Sequence, residues 1–118
     1  MFRKNEKSFL IDIKNSAEKI QKYTLGKPYK EFIKDDLLVD GVIRNLEIIG
    51  EAVKNLSSDF KNNYSHVEWR KIAGIRDILI HDYFGIDYEI LWGIIKDKIP
   101  ELLKQINEIL VKINNEHY

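Results

Sequence analysis

Cysteine is absent from this chain, which excludes a disulfide framework and any thiolate metal site. Proline occurs twice and glycine six times, so no linker or low-complexity stretch divides the 118 residues. One domain with one core spanning residues 1–118 is the expectation at this length. No apolar run approaches the ~20 residues of a membrane span. The charged start Met1-Phe2-Arg3-Lys4-Asn5-Glu6-Lys7 leads into an amphipathic segment and has no signal-peptide core. A cytoplasmic protein with no membrane association is therefore expected.

The chain also lacks net charge, so it does not read as a general nucleic-acid coat protein. The balance is uneven, however. Residues 1–34 carry nine Lys/Arg against four Asp/Glu, whereas residues 35–59 carry two against six. A local basic patch, doubled in an oligomer, can still hold a phosphate backbone.

What is present is helical periodicity. Phe9, Ile13, Ala17 and Ile20 recur at helical spacing in a first helix from about Asn5 to Leu25, ended by Gly26 and Pro28. A second stretch runs from about Tyr29 to Leu56, with a possible break at Asp35-Asp36. Its apolar stripe is Val39, Val42, Leu46, Ile49 and Val53, beside a polar stripe of Asp40, Arg44, Glu47 and Glu51. A third helix is predicted from Trp69 to Phe84, with a capping box of Ser65 and Glu68 before it and Gly85 as its end. Asp87 is the candidate cap of a fourth, which Pro100 should kink or interrupt. No strand pattern is evident. The predicted architecture is an all-α, up-and-down antiparallel bundle of four to five helices.

Within the third helix Arg76 stands out. At ~100° per residue from Trp69, Ile72 falls near ~300°, Leu79 near ~280° and Ile80 near ~20°. Arg76 falls near ~340°, inside that apolar arc, and Tyr83 near ~320°; His81 falls on the polar side near ~120°. A guanidinium in an apolar stripe is costly unless it has a partner or faces a cleft. Arginine offers a planar fork of donors for a phosphate, and histidine exchanges protons near neutral pH. With no metal-ligand spacing around them, Arg76, His81 and Tyr83 suit RNA cleavage by acid–base catalysis, in which the ribose 2′-OH supplies the nucleophile. A two-fold dimer would place two such sets at one cleft. The pattern alone leaves a plainer reading open: Arg76 paired with Glu47 or Glu51, His81 capping carbonyls, and Tyr83 a core tyrosine with a wet tip. His66 reads as exposed and structural, His117 as part of the tail, and Trp69 and Trp92 as core or interface anchors rather than base-stacking platforms.

The segment Arg76-Asp77-Ile78-Leu79-Ile80-His81-Asp82-Tyr83 resembles the R-x4-H-x-Y signature of the HEPN superfamily, in its HepT-like branch. Phe32-Ile33-Lys34-Asp35, Val42 through Ala52 and Trp69 through Ile75 also resemble family segments, so the similarity covers nearly the whole chain. Val39-Asp40-Gly41 departs slightly, with a glycine inside a helix. The resemblance implies a homodimeric helical bundle and a metal-independent endoribonuclease without a cofactor. It implies Arg76 and His81 as the catalytic pair and Tyr83 as a substrate-positioning residue or a site of AMP transfer. Asp77 and Glu47 are the expected polar supports of that pair. The implied biological role is the toxin of a toxin–antitoxin module whose partner is a minimal nucleotidyltransferase antitoxin. The alternative is a non-catalytic nucleotide- or partner-binding subunit of such a nucleotidyltransferase complex.

Overall fold

The computed structural model describes residues 4–81 and 85–116, with the side chains of Lys4, Asn5, Arg76, Ile80, His81 and Glu116 outside the description. The order of elements is α1 (Lys4–Thr24), α2 (Tyr29–Phe32), α3 (Asp36–Asn55), α4 (Ser58–Asn63), α5 (Trp69–Ala73), α6 (Ile75–Leu79), β1 (Ile80–His81), β2 (Gly85–Ile86) and α7 (Tyr88–Gly93). A π-helical segment (Ile94–Lys98) then leads into α8 (Ile99–Glu116). The fold is all-α, as expected.

Two ends of α1 show its direction against α3. The Glu6 carboxylate accepts from the Ser57 amide at 3.4 Å, while Tyr23 lies beside Gly41. The two helices are therefore antiparallel. They bury Leu10, Ile13, Ala17 and Ile20 against Val42, Ile49 and Val53. Each such side chain contributes about 1.5–3 kcal/mol relative to full exposure. α8 closes the core with Leu102, Ile106, Ile109 and Ile113.

Several breaks fall where the local chemistry demands them. Gly26 takes a positive φ of 73°, which ends α1, and Pro28 precedes α2. Asp35 caps α3, its Oδ1 accepting from the Leu38 amide at 3.1 Å. The expected break at Asp35-Asp36 is thus a cap that separates α2 from α3. Asp87 caps α7 in the same way, through the Ile90 amide at 3.0 Å.

The third predicted helix needs correction. It is two short helices offset at Gly74, and it stops at Leu79. The Leu79 carbonyl accepts from the Asp87 amide at 3.0 Å, a bond from outside the helix. Ile80 and His81 then pair antiparallel with Ile86 and Gly85. Gly85, at φ 79°, therefore belongs to a hairpin and does not end a helix. The Ser65 capping box does not form either. Glu68 occupies the N-cap position of α5, without a side-chain cap. Its carboxylate is held by Lys71 at 2.9 Å and Lys98 at 3.2 Å, so it cannot reach back toward Ser65.

Pro100 neither breaks the run nor ends it. The Ile99 amide donates to the Ile94 carbonyl, a π-type bond. That wider turn immediately before the proline lets the helix continue into α8.

Candidate functional site

The α3 helix forms the floor on which the motif segment rests. Gly50 sits mid-helix, where a Cβ would approach the Ala73 carbonyl oxygen to 3.3 Å. The end of α5 is therefore seated directly on α3. Gly74 follows, and Arg76 is the second residue of α6. Ile72, Ile75 and Leu79 are buried in the same direction, while Asp77 and Ile78 face solvent. The apolar anchors thus hold the backbone of Arg76 against α3 on one side and leave the next two positions open.

Alongside this crossing runs a groove of about 410 Å³. Arg44, Glu47 and Glu51 of the polar stripe line it, together with Gly50, Lys54 and Ala73. Glu47 is half-buried there and Arg44 and Glu51 are exposed. The stripe faces solvent, and folding brings its Arg44, Glu47 and Glu51 alongside Ala73 at the end of α5. The contribution of Gly50 was missed. Its signal was a glycine within an otherwise good helical stretch, a position that costs about 1 kcal/mol against alanine unless close packing requires it.

The expected catalytic residues separate across two elements. Arg76 belongs to α6 and His81 to β1, opposite Gly85. The wheel that placed His81 on a helix face does not extend past Leu79. The side chains of Arg76 and His81, and all of Tyr83, lie outside the described residues. Asp77 is exposed on α6. His66 is exposed in the turn before α5, as expected, with its ring 6.4 Å from that of Tyr64. Among the described residues no group of His, Cys, Asp and Glu could hold a metal ion. None of the described helices is long and apolar enough to cross a membrane.

The α5–α6 arm is tied to the helix behind it by the Glu68 bridges. Hydrogen bonds from Lys71 and Lys98 to the Glu68 carboxylate hold it below the usual carboxylate range. The reciprocal bond raises Lys98. Both groups face water, so the pair orients the arm more than it stabilises the fold.

A helical bundle with Arg76 and His81 flanking the junction of a short helix and a hairpin narrows the comparison to known proteins. The Ribonuclease HepT-like family model matches residues 13–109. The chain belongs to that family. It is 47% identical over 116 residues to "Putative RNase MJ0127" of Methanocaldococcus jannaschii, covering 98% of this chain and 96% of that protein. It is 42% identical over 100 residues to "Probable ribonuclease HepT" of Thermococcus cleftensis, covering 85% of this chain and 91% of that one. No solved structure matches. The matched region of this HepT-like chain runs from mid-α1 into α8 and includes the whole motif.

Proposed function

We infer that this HepT-like protein is an endoribonuclease that cleaves RNA without a metal ion. The observation that carries the reading is the family match over residues 13–109, with the Arg76-x4-His81-x-Tyr83 motif inside it. The chemistry follows from those residue types. Arg76 holds the scissile phosphate and offsets the charge that builds on its oxygens. His81 removes the proton from the ribose 2′-OH and returns one to the departing 5′-oxygen. Tyr83 positions the substrate, or accepts AMP, whose added negative charge would repel RNA. Asp77 and Glu47 support the pair.

One histidine performs both proton transfers poorly in one step, so the working unit is a homodimer with two motifs at one cleft. Its biological setting is a toxin–antitoxin module with a minimal nucleotidyltransferase as antitoxin. The groove beside Gly50 supports the ribonuclease reading, because it leaves open space beside Ala73, three residues before Arg76.

The test is cleavage of single-stranded RNA in EDTA. Arg76→Ala and His81→Ala should each lower the rate by about 10²–10⁴-fold, the range of a lost acid–base or charge-stabilising group. Blocking the 2′-OH of the substrate should abolish cleavage. Wild-type rates in either variant would overturn the assignment, and full activity in a strict monomer would overturn the shared cleft.

A further inference from the structure

We propose that Trp92, with Tyr29 and Lys96, is a stacking platform for an unpaired base of the RNA, next to the motif hairpin. This rests on the ribonuclease reading and adds a binding subsite to it.

The platform is assembled from two distant parts of the chain. Phe32 is fully buried and packs on Trp92 at 5.2 Å between ring centroids. Tyr29 meets the same indole edge-on at 5.7 Å. Both Trp92 and Tyr29 stay half-buried, so their outer surfaces reach solvent. The indole N–H of Trp92 has no hydrogen-bond partner among the described residues, in contrast to that of Trp69, which donates to the Tyr64 carbonyl at 3.0 Å. The ring is thus packed on the core on one side and open to solvent on the other, with its indole N–H free to bond water or a ligand.

Lys96 supplies the second element. Its Nζ lies 4.6 Å from the centre of the Trp92 ring. An exposed cation–π contact of this kind is weaker than stacking of a nucleobase on an aromatic ring. A base can therefore displace the ammonium from the ring, and the displaced lysine is then free to pair with the adjoining phosphate. Lys27, Lys30 and Lys34 are exposed on the segment that carries Tyr29. Glu31, Asp35, Asp36, Glu89 and Asp97 are exposed on the same segments and offset these lysines, so the segments carry no net positive charge. Binding here should depend on stacking more than on charge, and its salt dependence should be shallow.

Placement links the platform to the motif. The Asp87 amide bonds to the Leu79 carbonyl, which pins the start of α7 beside the end of α6. Trp92 lies four residues beyond Tyr88, about 6 Å further along that helix. Lys96, one turn further along, lies over the same ring. A nucleotide flanking the one held at the motif would reach this surface.

The protein labelled with 5-fluorotryptophan gives two fluorine resonances, assigned with Trp92→Phe. Titration with a single-stranded 2′-O-methyl oligoribonucleotide, which cannot be cleaved, should shift the Trp92 resonance and leave that of Trp69 in place. Duplex RNA should shift neither. In cleavage assays Trp92→Leu should raise KM about five- to tenfold with kcat within about twofold, and Trp92→Phe should restore most of the loss. Intact cleavage, an unmoved Trp92 resonance and an unchanged KM in Trp92→Leu would overturn the platform and leave the ribonuclease reading standing. A shifted Trp92 resonance in a protein that cuts no RNA would uphold the platform and sink that reading. A Trp92 resonance that follows protein concentration and ignores RNA would mark a protein interface and overturn the proposal.

Discussion

Trp69 and Trp92 are the same residue in two different settings. Trp69 opens α5 at 6% exposure, with its indole N–H spent on the Tyr64 carbonyl and its ring beside Phe60. Trp92 sits half-buried on α7, with the rings of Phe32 and Tyr29 against it and Lys96 over its ring. Lys112 also approaches an aromatic ring, that of Tyr64, at 5.7 Å. The difference is therefore not the presence of a cation. It is whether the aromatic group is enclosed. One corner anchors the motif arm on the core, and the other keeps an aromatic surface available.

The comparison can be broken by substitution. The largest effect should come from Trp69→Ala, with a loss of about 3–5 kcal/mol in chemical denaturation from the lost burial and the cavity left behind. Trp92→Ala should cost less, about 2–3 kcal/mol, because part of its ring already meets water. Trp69→Phe keeps most of the apolar contact and removes the hydrogen bond, and should cost about 1–2 kcal/mol. Equal losses in the two alanine variants would show that Trp92 is as structural as Trp69.

The smallest effect tests the link between the two corners. Glu68 precedes Trp69 and binds Lys98, which shares the π segment with Lys96. The folded state depresses the Glu68 pKa below its ordinary 4.5, so its contribution is present above that value and is lost as pH falls through the folded value. Lys98 is raised above 10.5, so its contribution is held below that value and is lost as pH rises through the folded one. Glu68→Gln should therefore lower the melting temperature slightly near neutral pH, with the difference from wild type fading in strong acid. A difference that grows as pH falls below 4 would contradict the assignment.

The parts legible in advance were those governed by neighbours in sequence. The end of α1 depends on Gly26, and the break before Asp36 and the cap at Asp87 each depend on a side chain bonding an amide three residues on. The parts misread depend on distant groups. Helical periodicity ran on through Ile80 and Phe84, yet the Leu79 carbonyl is claimed by Asp87. The capping box looked complete, yet Lys98, thirty residues away, holds the glutamate. Both tryptophans were expected to be core or interface anchors, which describes Trp69 and only half describes Trp92.

The sequence by itself determined the helical class, the family and the chemical types available at the motif, because periodicity and residue identity are local properties. Only the tertiary structure decided that α6 yields to a hairpin before His81, that Gly50 receives the Ala73 carbonyl, and which tryptophan stays open. Those outcomes depend on which distant backbone and side-chain groups compete for the same hydrogen bonds and the same buried space.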